Sequence, residues 1–244
     1  NAYKENLSTK TNLQVYEDLS KKNSDRYEFI YPNFDIQKDF ITNEKIDGNF
    51  NLNTSGYVKN YNTNVFEKIL VNDLIFNSDS NFSNHGLKSA YNFIFKNINT
   101  NSKNSLSYKN TLNHELAAIG EYNVSYPLKK ETGINTSIFK PLISLRYSPN
   151  NSKNLQNDEK RIDSNNIYSL NRIGSKTSVE GGLSLTYGSE FLKLDNKANE
   201  IFGASIANVI KDQVDDKISR SSSLGGKTSD IIGGLRLNPN SNIK

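Results

Sequence analysis

The feature that most constrains this chain is a strict period of two between Val179 and Gly188, in VEGGLSLTYG. Val179, Gly181, Leu183, Leu185 and Tyr187 fall on one side, and Glu180, Gly182, Ser184, Thr186 and Gly188 on the other. Successive side chains leave an extended strand on opposite faces, so the pattern predicts a strand with one mostly apolar face and one small, polar face. Such a strand lies between a greasy phase and a wet one, and the identity of the greasy phase decides the fold.

The pattern recurs along the chain. Residues 1–25 read as polar loop or partial strand. Strands are then predicted at 26–35, 48–60, 65–76, 87–98, 111–127, 134–147, 179–192, 201–210 and 229–238. Pro32 lacks a ladder donor and suits a strand end or a bulge. The connections at 97–110, 148–165 and 211–226 are long and polar. Helix is the alternative at 65–76, where alternation is weaker, but Val71, Ile75, Phe76 and the flanking Asn clusters favour strand; no boundary interrupts residues 26–244. The expected fold class is all-β: an antiparallel transmembrane β-barrel, incomplete, with about ten strands of a larger barrel. Several predicted strands exceed the usual soluble length of about five or six residues. Tyr126, Tyr147 and Phe191 read as strand-end aromatics suited to interfacial girdles. A soluble β-sandwich, in which the apolar faces meet a second sheet, is the competing arrangement.

Composition narrows the function classes. No apolar run reaches the length of a membrane-spanning helix, which leaves β-strands as the means of crossing a bilayer. Cys is 0, so this stretch has no disulfide framework and no thiolate metal site. The charge of +4 comes from 30 basic and 26 acidic residues spread along the chain, a poor footprint for nucleic acid. The chain contains no Met and shows no targeting signal in its first twenty residues, which suits a piece of a longer protein.

Candidate chemistry is sparse. His85 and His114 sit in Asn-rich surroundings without further ligands, so no metal site is expected. The loop carboxylates Asp158, Glu159, Asp215 and Asp216 read as solvating groups. No nucleophile, base and orienting group come together, so no catalytic residue and no cofactor are expected. Arg146, Glu180, Ser184, Thr186 and Arg236 fall on polar strand faces and would line a barrel lumen, because charge facing lipid costs several kcal/mol near the midplane. Inward Arg residues suit an anionic substrate.

Four segments carry a resemblance. NRIGSKTSVEGGLSLTYGSEF, with Asn171, Arg172, Glu180, Gly181, Tyr187 and Gly188, resembles a barrel segment of the lipopolysaccharide-assembly outer-membrane proteins, the LptD or organic solvent tolerance family. PLISLRYSP, with Pro141, Tyr147 and Pro149, is similar to a strand end of that family. SSSLGGKTSDIIGGLRLNP, with Ser229, Asp230 and Gly233, resembles a later strand, and YPNFDI a strand start. The four occur in the family's order across residues 31–239. Where the family commonly has Asp, this chain has Lys176 and Thr177, and its periplasmic jellyroll is not in these residues.

The resemblance implies a non-enzymatic translocon in the outer membrane of a Gram-negative bacterium. It would receive lipopolysaccharide from a periplasmic bridge protein, work with a plug lipoprotein, and deliver its cargo through lumen and lateral opening into outer-membrane lipid. Another large barrel, such as a porin or uptake receptor, and a secreted β-sandwich binding module are the rival readings.

Overall fold

The computed structural model describes residues 2–4, 6–40, 46–149 and 161–238. The chain is all-β and antiparallel. Its strands are β1 (Ala2–Lys4), β2 (Leu7–Glu17), β3 (Tyr27–Phe40), β4 (Gly48–Tyr61), β5 (Val65–Ser78), β6 (Asn81–Phe82) and β7 (Lys88–Lys103). They continue as β8 (Asn113–Ser125), β9 (Leu128–Thr132), β10 (Asn135–Ser148), β11 (Gly182–Asp195), β12 (Glu200–Lys211) and β13 (Ile232–Leu237). Two short 3-10 turns are the only helical pieces among the described residues. The strand order is β1-β2-β3-β4-β5-β7-β8-β10-β11-β12-β13, with β6 against β7 and β9 against β10. Among the described residues no pairing joins β1 to β13, so the sheet keeps two free edges. Closure into a barrel is therefore not part of the observed architecture.

The strands pair antiparallel in chain order, and antiparallel neighbours can be joined by a turn where a parallel crossover needs a dozen or more residues. Asp195 makes one such turn. Its carboxylate accepts from the backbone N–H of Lys197 and of Asn199, both at 2.8 Å, and closes β11 onto β12. The register of β3 on β4 slips between Ile30 and Asn33, around Pro32, as expected of a residue without a ladder donor.

Several boundaries differ from the sequence reading. Much of the supposed polar loop at 1–25 is strand: Leu7–Glu17 pairs along β3. The strand β7 runs to Lys103, into the predicted loop at 97–110. Phe191 lies within β11 rather than near its end, so it does not fit a strand-end girdle. Strand β13 begins at Ile232, so Ser229 and Asp230 precede it. The largest correction concerns the central stretch. Strand β11 starts at Gly182, and residues 179–181 are not strand although they alternate on paper. Val179 and Glu180 are both buried, which a strand with one exposed face does not allow.

The chain forms two compact units: Asn1–Asn77 with Ile94–Ala118, and Ser78–Phe93 with Ile119–Lys244. In the first, Ile69, Val71 and Ile98 make a small apolar cluster against Tyr57 and Tyr108. Beside it Glu67 accepts from the Tyr61 hydroxyl at 2.9 Å and the Ser105 hydroxyl at 2.6 Å, and Lys96 pairs with Asp73 at 2.7 Å. In the second unit, two irregular segments, 161–181 and 212–231, fold over one face of β10, β11 and β12. Ile162, Ile167, Ile173, Ile218 and Leu224 meet Ala207 and Val209 there.

A buried charged rung as the candidate functional site

The second unit inverts the usual distribution of side chains. Along β10, Ile143, Leu145 and Tyr147 are exposed while Ser144, Arg146 and Ser148 are buried. Leu145 is 46% exposed and its neighbour Arg146 1%. Strand β11 repeats this, with Leu183 and Tyr187 outside and Ser184 and Thr186 inside. Strand β8 does so too, with Tyr122 outside and Glu121 inside.

Register places the buried residues in line. Arg146 faces Glu121 on one side and Ser184 on the other, and Ser184 faces Lys211. Glu121, Arg146, Ser184 and Lys211 thus form one rung across four neighbouring strands, close enough for directly opposite side chains to interact. Thr186 lies one inward step along β11, opposite Ser144.

The 161–181 segment supplies the rest. Asp163 accepts from the backbone N–H of Asn165 at 2.7 Å and of Asn166 at 3.0 Å. Asn171 donates to the Ser175 carbonyl at 2.9 Å, and Gly174 turns with φ +60°. These turns bring Arg172 and Glu180, eight residues apart in sequence, face to face over the rung. Arg172 clasps Glu180 with Nη2 on Oε1 at 2.8 Å and Nε on Oε2 at 3.0 Å. Its remaining donors reach Ser184 Oγ at 2.8 Å and Thr186 Oγ1 at 3.0 Å. Lys211 Nζ lies 3.3 Å from Glu180 Oε1 and donates to the Leu224 carbonyl at 2.9 Å. Arg146 donates to the Leu170 carbonyl at 2.8 Å and, through Nη2, to the Glu180 carbonyl at 2.9 Å. Its Nη1 stands 3.9 Å from Glu180 Oε2 and, though buried, makes no hydrogen bond among the described residues.

Burial acts to raise the Glu180 carboxyl. Arg172, Arg146 and Lys211 outweigh that and hold it below the usual carboxylate range, so Glu180 is charged in its interior position. Glu121 is held separately, by Asn92 at 3.1 Å, Asn123 at 2.8 Å and Ser144 at 2.8 Å.

Gly188 continues the inner face. A Cβ there would collide with the Tyr168 hydroxyl, the Ile206 carbonyl and, at 2.8 Å, the Ala207 Cα. The glycine lets the segment lie directly on the strand.

The structure therefore brings Arg146, Arg172, Glu180, Ser184 and Thr186 together. Glu180 arrives from the irregular segment rather than from the polar face of a strand, which corrects its assignment. Arg236 is elsewhere, on β13, paired with Glu200 at 2.9 Å and half exposed. Ser229 and Asp230 accept from Asn208 through their backbone carbonyls at 2.8 and 3.2 Å, and Ser229 Oγ accepts from the Val209 N–H at 2.9 Å. They pin the approach to β13 without touching the rung. Pro141, Tyr147, Pro149 and Tyr187 occupy positions along or beside β10 and β11. Asn171 and Gly181 belong to the irregular segment, and Gly233 to β13. Lys211 and Glu121 were not singled out from sequence. Glu121 had a visible polar-face position, but Lys211 stood at the start of a polar stretch with nothing to mark it.

His85 lies in an exposed turn, and His114, exposed on β8, contacts Asn99 through Nδ1 at 2.6 Å. Among the described residues no cluster of three or more His, Cys, Asp or Glu could hold a metal ion. Asp158 and Glu159 lie outside the described residues. No protein-family model matches the chain, and no curated protein matches it.

Proposed function

We propose that the chain is part of an outer-membrane β-barrel that delivers lipopolysaccharide to the outer leaflet. The observation that carries the barrel reading is the inverted sheet. Large apolar side chains stand exposed on β8, β10, β11 and β12, while Arg146, Glu121 and Lys211 are buried. A soluble sandwich buries its apolar faces and leaves charge outside. In a barrel, lipid covers the apolar face and the polar face turns to the lumen. An apolar groove of about 540 Å³ on that outer face, lined by Tyr126, Ile143, Tyr187, Ile206 and Ile231, fits contact with acyl chains.

The cargo rests on the resemblance to the lipopolysaccharide-assembly family. Its most distinctive segment contains Arg172, Glu180 and Gly188, which here carry the buried ion pair and the close packing of that segment on β11. Lipid A and core phosphates would meet a partly basic wall favourably. In this reading the partners are lipopolysaccharide, outer-membrane lipid, a plug lipoprotein and a periplasmic bridge protein. The chain binds, orients and passes cargo, and performs no covalent chemistry.

The test is depletion of the full-length protein in its host. Surface lipopolysaccharide should fall and accumulate before the outer leaflet. Undiminished surface lipopolysaccharide on depletion refutes the cargo assignment.

A further inference from the structure

We propose that Arg146, Arg172 and Lys211, with the hydroxyls of Ser184 and Thr186, form a cradle for a phosphate monoester, which the Glu180 carboxylate occupies in the resting protein. Charge is the first argument. Among the described residues of this cluster, three cations meet two carboxylates, Glu180 and Glu121. The cluster so occupied retains one positive charge in the interior. A phosphate monoester carries about −1.5 to −2 at neutral pH. Exchanging the Glu180 carboxylate for such a group brings the cluster to near neutrality.

Geometry is the second argument. Both oxygens of Glu180 are engaged by the Arg172 fork at 2.8 and 3.0 Å. A planar carboxylate has no third oxygen for Arg146, whose Nη1 is buried, lacks a hydrogen bond among the described residues and stops 3.9 Å from Glu180. A tetrahedral anion has that oxygen. The donor set is also of the matching kind: the Arg172 fork, the Arg146 guanidinium and the Lys211 ammonium face the Glu180 carboxylate, and the Ser184 and Thr186 hydroxyls stand against Arg172. Arg146, Lys211, Ser184 and Thr186 belong to the strands, whereas Glu180 belongs to the irregular segment. The carboxylate can therefore withdraw while most of the cradle stays in place. The inference stands on this cluster alone and holds for a barrel of any cargo, so its failure leaves the lipopolysaccharide proposal to its own test.

The experiment uses the full chain in detergent with Glu180→Ala, which empties the cradle and keeps its donors. Thermal unfolding is followed in inorganic phosphate and in sodium chloride at equal ionic strength, near pH 7.5. Phosphate should raise the variant's Tm beyond chloride by roughly 3–6 °C at tenfold the dissociation constant. The wild type, already occupied, should show no such difference. Glu180→Ala combined with Lys211→Met should lose the gain. Equal effects of phosphate and chloride on Glu180→Ala, or an equal phosphate gain in the wild type, overturns the proposal. If Glu180→Ala does not fold in chloride, refolding in phosphate decides: recovery upholds the cradle, and no recovery in either salt overturns it. Repeating the titration with monomeric dihexanoyl phosphatidic acid separates the sources. A gain from the lipid assigns the cradle to a lipid headgroup, and a gain from inorganic phosphate alone assigns it to a soluble phosphate.

Discussion

Replacing Arg172 by Met tests whether the buried rung holds the irregular segment in place. Met keeps a comparable stem and removes the guanidinium. Four hydrogen bonds go with it: two to Glu180, one to Ser184 and one to Thr186. Removing one partner of a buried ion pair costs about 3–5 kcal/mol, because the other charge stays buried. Lys211 at 3.3 Å and Arg146 at 3.9 Å remain to serve Glu180, so the lower end of that range is expected. For a chain of this size each kcal/mol moves Tm by about 2–4 °C, which puts the loss at roughly 6–12 °C at that lower end. The assay is thermal unfolding by circular dichroism in detergent, run as a double-mutant cycle with Glu180→Leu. The double variant should lose less than the sum of the singles, with a coupling on the order of 1–3 kcal/mol. A Tm for Arg172→Met within about 1 °C of wild type, or strictly additive losses, refutes the argument.

Three further outcomes are expected. Gly188→Val should destabilise by about 1–3 kcal/mol by overpacking, since its Cβ meets the Ile206 carbonyl and the Ala207 backbone as well as Tyr168; urea titration measures it, and a neutral result would mean that the segment does not lie on β11. Leu145→Arg should cost about 2–4 kcal/mol of folding into phospholipid vesicles if lipid covers that face near the midplane; on a water-facing surface the change would stay within about 0.5 kcal/mol. The Glu180 carboxyl is held below its unfolded value of about 4.3. Its stabilisation is therefore complete above that pH and is lost as pH falls through the lower folded value. Acid unfolding of Glu180→Gln should be correspondingly less steep, and an unchanged acid limb would refute a charged Glu180.

The sequence made the sheet legible where alternation coincides with a difference in polarity. Strands β10 and β11 show this best, since Ile143, Leu145 and Tyr147 face one way and Ser144 and Arg146 the other. Strand β2 was missed although Leu7, Leu13 and Val15 share a parity in LSTKTNLQVYE, because Thr9 and Thr11 interrupt that apolar face; the strand is fixed by backbone pairing with β3. The opposite error occurred at 179–181. Three residues of period-two pattern precede the true strand start, where Gly182 adopts φ +84° and redirects the chain. The polar wall was readable as a wall, because Arg146, Ser184 and Thr186 share a parity. The rung was not, because its members meet only through register. Nothing local to Lys211 says that it stands across from Ser184, or that Ser184 stands across from Arg146. Arg172 could be paired with Glu180 only after the intervening turns were known.

The shared use of one carboxylate has a consequence for how this wall can change over time. Arg146, Arg172 and Lys211 come from a strand, an irregular segment and a second strand, and all three lean on Glu180. Loss of Glu180 alone leaves three cations confined together, and loss of any one cation shifts the load to the other two. Substitutions at these four positions are therefore epistatic. A lineage that gives up the carboxylate is expected to give up at least one of its cations in company with it, so the four residues should be retained or exchanged as a set.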